Sequence, residues 1–302
     1  MIVYRRIPLR LILRVEWKQI LFFIALTAAV FVVHRKTELD LSLPLSVVAT
    51  IGTAVAVLLG FKNNAAYQRW WEGRKLWGSI TNASRHFVAQ LLGFLDFTVD
   101  EAEDRDAVLG DLVNRHLAFV NVLRCQLRQQ PTDEELAKWL SAGESAALKG
   151  GRNKATLILT RQTERLRELR EKKMIDEWRF FPLLGTIGAL FDAQGGAERL
   201  DNTPLMRHYA YFTTAFVWIF VVLLPFGFAS VLNWMTFPLI VLISTVFTML
   251  DRAGTFTEDP FDDDFNDVPI STICRSIEID MKQQVGIEPV PPPLEPIDGV
   301  LM

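Results

Sequence analysis

Residues 59–78 read Leu59-Gly60-Phe61-Lys62-Asn63-Asn64-Ala65-Ala66-Tyr67-Gln68-Arg69-Trp70-Trp71-Glu72-Gly73-Arg74-Lys75-Leu76-Trp77-Gly78, and this stretch decides how the rest of the chain is read. Up to Phe61 it closes an uncharged run that begins at Leu41; from Lys62 it becomes Asn, Arg, Glu and Lys interleaved with three tryptophans. No proline interrupts residues 63–95, so the helix of the apolar run continues into the polar one. Trp70 and Trp77 stand seven apart and share a helical face. Arg69, Glu72 and Arg74 are spaced to pair with one another or to stack on indole rings. A membrane-interface belt needs Trp and Arg, but not so many different polar residues in one run.

Working outward, residues 41–61 carry no charge and are long enough to span a bilayer, which takes about 20 residues. Residues 19–33 form a shorter run between Trp17-Lys18 and His34-Arg35-Lys36. Trp17 suits the headgroup level and Lys18 can snorkel, which extends the usable length. A cleaved signal peptide fits less well, because the charged leader is long and a second span follows almost at once. Residues 209–250 are uncharged and too long for one helix, and they divide near Pro225, Gly227 and Asn233. The fold expected is an all-α membrane protein with four transmembrane helices and a cytosolic helical region.

Charge sets the orientation. The net charge of -3 implies no nucleic-acid partner. Basic residues crowd the N-terminus (Arg5, Arg6, Arg10, Arg14, Lys18) and the middle segment, while the turn at residues 230–234 has none. The positive-inside rule puts both termini and the middle segment in the cytoplasm of a cell with this protein in its inner or plasma membrane. His34-Arg35-Lys36 depart from the rule and are offset by Glu38 and Asp40. The organisation expected is residues 1–61 for the leader and two spans, 62–207 for the cytosolic helices, 208–250 for two further spans, and 251–302 for an acidic turn, a helix and a tail. In the middle segment, residues 153–181 read as strongly helical, with Arg161, Arg165 and Arg167 beside Glu164, Glu168 and Glu171. Thr132 and Glu135 have capping-box spacing for a short helix through Leu140. A helix is expected from residue 269 to about 284, followed by an extended tail with Pro289, Pro291, Pro292, Pro293 and Pro296.

Chemistry-bearing patterns are missing from the sequence. Cys125 and Cys274 read as ordinary thiols of a reducing compartment, and His34, His86, His116 and His208 have no zinc spacing. No Ser/His/Asp set, P-loop or GxGxxG is recognised, so an enzyme is not expected. A passive pore and a membrane receptor or scaffold remain. Ser46, Thr50 and Thr53 are the polar groups of the second span, without the ionisable midplane site of a secondary transporter.

The run Asn63-Asn64 followed by Tyr67-x-Arg69-Trp70-Trp71-Glu72-x-Arg74-Lys75-x-Trp77-Gly78 resembles the bestrophin signature. Glu258-Asp259-Pro260-Phe261 with Asn266-Asp267-Val268-Pro269 is a second match, and the segment from Gly195 ending in Arg199-Leu200-Asp201-Asn202-Thr203-Pro204 a third. Together they cover roughly residues 17–286, with the acidic spacing of the prokaryotic branch. The resemblance implies a homopentamer around one axial pore, its neck lined by the second span. The matching neck positions are Thr53, Val57 and Phe61, whose i, i+4, i+8 spacing permits one face. Apolar rings gate by dewetting, and Thr53 departs from the apolar pattern. A cytosolic constriction implied by the family matches best at Ile175. Asp259, Asp262, Asp263 and Asp264 correspond to a calcium clasp of animal relatives. Here the loop is shorter and lacks EF-hand spacing, so it reads as a solvated turn with Asp267 capping the next helix and no metal cofactor. The partners implied are permeating inorganic ions, membrane lipid and further copies of the chain. The ion leans to chloride on family prevalence, with a sodium-type cation channel left open.

Overall fold

The computed structural model describes residues 9–37, 40–98, 104–231, 233–297 and 299–301, with side chains from residue 16 onward. Arg5, Arg6 and Glu38 lie outside them, and so do the side chains of Arg10 and Arg14. The described residues form α1 (Leu9–Lys36), α2 (Leu45–Phe94), α3 (Arg105–Leu127), α4 (Asp133–Trp139), α5 (Ala142–Leu148), α6 (Lys154–Glu171), α7 (Glu177–Asn202), α8 (Arg207–Gly227), α9 (Thr236–Thr255) and α10 (Ile270–Val285). No strand occurs among them beyond a single bridge between Ile297 and Val300.

Four helices are long and apolar enough to cross a membrane: α1 from Glu16, α2, α8 and α9. With 50 residues, α2 runs about 75 Å, more than twice the hydrocarbon thickness of about 30 Å. Its buried side is one stripe at helical spacing: Val48, Gly52, Val55, Leu59, Lys62, Ala66, Gly73, Trp77 and Ile80.

The chain divides into two units. One comprises Tyr4–Trp70 and Pro204–Asp259, and the other chiefly Trp71–Thr203 and Pro260–Met302. In the first, Phe23, Val48, Val55, Leu59, Val217, Phe220, Val221, Leu224 and Ile240 form the apolar core. Gly52 sits under the Phe220 ring so closely that a Cβ there would lie 2.6 Å from it, the small-residue contact by which membrane helices approach. Pro225 lies inside the last turn of α8 rather than in the connection. Asn233 makes the connection, its side-chain Oδ1 accepting from the N–H groups of Met235 (2.8 Å) and Thr236 (3.1 Å).

In the second unit, α3 is buried along most of its length and packs against α6 and α10. His116 at its centre stacks on Phe87 at 5.4 Å, with Nε2 2.8 Å from Ser84 Oγ. Burial pushes its pKa down to about 3, so the ring stays neutral.

Two local expectations, at Thr132 and Asp267, are corrected. The helical stretch 153–181 divides into α6 and the start of α7. The α6 carbonyls of Glu168, Arg170 and Leu169 are closed off by the N–H groups of Lys172, Lys173 and Met174, with Lys173 at φ 61°. Asp176 then caps α7 by accepting from the Arg179 N–H at 2.9 Å. The capping box at Thr132 does not form. Thr132 Oγ1 accepts from Lys154 Nζ at 2.6 Å, and Glu135 is taken by Arg124 (2.8 Å) and the Trp139 indole (3.1 Å). Asp267 does not cap α10, whose N-cap is Pro269; its carboxylate accepts from the Asp264 N–H at 2.9 Å and closes the acidic turn instead.

Candidate functional site

The exposed face of α2 differs in composition from the other exposed apolar faces. On α1 it carries Leu21, Phe22 and Ile24; on α8, Tyr211, Phe212, Phe216 and Ile219; on α9, Leu239, Leu242, Val246 and Leu250. Such bulky apolar surfaces suit acyl chains. Along α2 from Ala49 to Asn64 the exposed residues are Ala49, Thr50, Thr53, Ala54, Ala56, Gly60 and Asn64, with Val57 (54% exposed) and Phe61 (63%) as the large apolar side chains among them, while Leu45 and Val47 are exposed at the helix start. The hydroxyls of Thr50 and Thr53 donate to the carbonyls of Ser46 (2.8 Å) and Ala49 (3.0 Å), which satisfies their hydrogens within the helix. Thr53, Val57 and Phe61 therefore lie exposed on a surface of mostly small, partly hydroxylated side chains.

The other side of α2 is held by polar contacts clustered just past Phe61. Lys62 is 1% exposed, and its ammonium donates to Asp251 Oδ1 (2.7 Å), Thr255 Oγ1 (3.0 Å) and Thr214 Oγ1 (3.3 Å). The Thr214 hydroxyl in turn lies 3.1 Å from Asp251 Oδ1. Asn63 Nδ2 donates to the Leu250 carbonyl at 3.0 Å, and the Tyr209 hydroxyl to the Leu58 carbonyl at 3.3 Å. Arg69 donates to the Glu258 carbonyl at 2.8 Å and pairs with Asp259 at 3.5 Å. Burial, and then the neighbouring Asp259, push the Glu258 carboxyl above the ordinary range.

The remaining signature residues divide between surface and core. Asn64, Tyr67, Trp71 and Arg74 are exposed, the Tyr67 and Trp70 rings stack at 6.4 Å, and Trp77 is fully buried. Glu72 accepts from Arg199 at 2.7 Å, so its ionic partner here is a residue of the third matched motif, and Arg69 likewise reaches the second. Gly73 lies against Phe261 and Pro260, where an added Cβ would come to 3.1 and 3.3 Å. Three motifs distant in sequence are thus joined by direct contacts within each unit.

Ile175 is 1% exposed. It is drawn into the core by the reversal between α6 and α7, while Trp178 (88%) and Phe181 (59%) are the exposed apolar residues nearby. In the acidic turn, Arg128 pairs with Asp263 at 2.6 Å and donates to Ser271 Oγ at 2.7 Å. Burial raises the Asp267 carboxyl to about 6. Among the described residues no group of three or more His, Cys, Asp or Glu side chains is placed to hold a metal ion.

Sequence reasoning missed the Lys62–Asp251 pair. Each residue directly follows an uncharged run, after Phe61 and after Leu250, where a lone charge reads as a solvated helix end. The signal was that the second and fourth spans end on opposite charges at the same side.

Residues 7–283 match the family model described as "Bacterial/Fungal Bestrophin protein". The chain is 31% identical over 283 residues to the voltage-dependent anion channel-forming protein YneE of Escherichia coli (strain K12), covering 94% of this chain and 90% of that one. It is 30% identical over 272 residues to a voltage-dependent anion channel-forming protein of Mesorhizobium japonicum, with 90% and 85% covered. The crystal structure of a bacterial bestrophin homologue from Klebsiella pneumoniae superposes with a TM-score of 0.82 at 27% identity, covering 89% of this chain and 98% of that one.

Proposed function

Since the chain belongs to the bacterial and fungal bestrophin family, we propose that it forms a membrane channel conducting small inorganic anions, chloride foremost. The observation that carries this is the exposed face of α2: Thr53, Val57 and Phe61 on a surface of small and hydroxyl side chains, beside three helices with bulky apolar faces. Copies of the chain bring these faces together as a homopentamer around one axial pore. The bulky faces of α1, α8 and α9 meet lipid. Val57 and Phe61 then form apolar rings that hold back water and ions until the neck widens, and Thr53 forms a wetter ring beyond them.

The protein sits in the inner or plasma membrane with both termini and residues 62–207 on the cytoplasmic side, as the basic residues there favour. The acidic turn works without a bound calcium ion, because the Arg128 guanidinium supplies the positive charge beside Asp263.

The test is reconstitution of purified protein into liposomes and planar bilayers. Passive chloride flux and a reversal potential near that of chloride under a salt gradient are expected. Absence of flux in every salt would rule out the pore, and a reversal potential at the cation's equilibrium value would overturn the anion assignment.

A further inference from the structure

Phe61 and Lys62 are neighbours in sequence with opposite fates: one is 63% exposed and the other 1%. All that fixes which way Phe61 faces lies on the buried side of α2. The apolar part of that side, Val55 and Leu59 against Val217, Phe220 and Val221, is non-directional and tolerates small rotations. Lys62 is different. An ammonium has three hydrogens, and here four oxygens surround them: the Asp251 carboxylate and, at 3.4 Å, its backbone carbonyl, the Thr255 hydroxyl of α9 and the Thr214 hydroxyl of α8. Any turn of α2 about its axis stretches these bonds and strips a buried charge of its partners. Gly254 keeps the backbones close enough for this, since a Cβ there would collide with the Asn63 side-chain oxygen.

We infer that the Lys62–Asp251 pair is a rotational pin for the gate. It holds α2 in the orientation that keeps Phe61 in the constriction, and so sets the fraction of time the neck is open without touching the permeating ion. Lys62 and Asp251 are positioning residues. The inference rests on the channel reading, and the two fail differently.

The experiment is single-channel recording of the full-length protein in planar bilayers, with assembly checked by size-exclusion chromatography. Asp251→Asn is expected to raise open probability several-fold while unitary conductance and reversal potential stay at wild-type values. Thr255→Val, which removes one of the acceptors around Lys62, should shift open probability in the same direction by less, and it serves if Asp251→Asn does not assemble. The exchange Lys62→Asp with Asp251→Lys should return open probability toward wild type. In a Phe61→Ala background, Asp251→Asn should have no further effect, because the pin acts through that ring. A silent wild type would overturn the channel reading and the pin with it. A conducting wild type with unchanged open probability in assembled Asp251→Asn and Thr255→Val would overturn the pin alone. So would an equal effect of Asp251→Asn with and without Phe61.

Discussion

The two sides of α2 are built on different principles. The buried side combines an apolar core with directional polar ties at Leu58, Lys62, Asn63 and Arg69. On the exposed side Thr53, Val57 and Phe61 stand open, the Thr53 hydroxyl bonding back to Ala49 within the helix. One helix therefore has a side whose substitution should be felt as lost stability and, in the proposed channel, a side whose substitution should be felt as altered permeation. The separation suits the proposed pore, because residues that would meet the ion are then free of structural duty.

Lys62→Met should break the comparison most severely, because it leaves the Asp251 carboxylate buried without its ammonium. Losing one partner of a buried pair costs about 3–5 kcal/mol, so a large fall in thermal midpoint and in assembled protein is expected. A midpoint equal to wild type would mean the pair is solvated. Gly52→Leu comes next. It drives a side chain into the Phe220 ring and should cost about 1–3 kcal/mol, again read by thermal unfolding in detergent. On the exposed side, Phe61→Ala should leave the unfolding midpoint within about 0.5 kcal/mol of wild type while raising unitary conductance, with a smaller rise for Val57→Ala. Unchanged currents from assembled Phe61→Ala would remove Phe61 from the neck.

The smallest effect lies away from both sides of α2, and it guards against misreading melts taken at different pH. Asp267 has a folded pKa raised from 3.8 to about 6, so its contribution to stability is present at low pH and is lost as pH rises through about 6. His116 has a folded pKa lowered from 6.5 to about 3, so its contribution is present above 6.5 and is lost as pH falls toward 3. Between about pH 4 and 6 the two slopes oppose. Asp267→Asn should therefore unmask a protein whose stability rises with pH across that window. A pH profile unchanged from wild type would show that Asp267 titrates normally.

Much of this was legible in the sequence. The four spans followed from uncharged runs, while Thr53, Val57 and Phe61 were singled out by the family resemblance and are exposed in the structure. Lys62–Asp251 was not legible, because the pairing joins residues 189 apart and each alone looks like a solvated helix end. The burial of Ile175 was not legible either, because nothing local announces that the chain reverses at Lys173, where a non-glycine residue takes a positive φ. Thr132 and Glu135 had the right spacing, but Lys154, Arg124 and Trp139 competed successfully for their oxygens.

The hydroxyls of Thr50 and Thr53 have a consequence for which anions the proposed channel favours. Their hydrogens are committed to Ser46 and Ala49, so they offer a passing anion oxygen lone pairs and no donor. Nothing at that level replaces the water an anion would shed on its way to Val57 and Phe61. The barrier then tracks the work of dehydration, and permeability should follow the lyotropic order, with thiocyanate and iodide ahead of chloride and fluoride last.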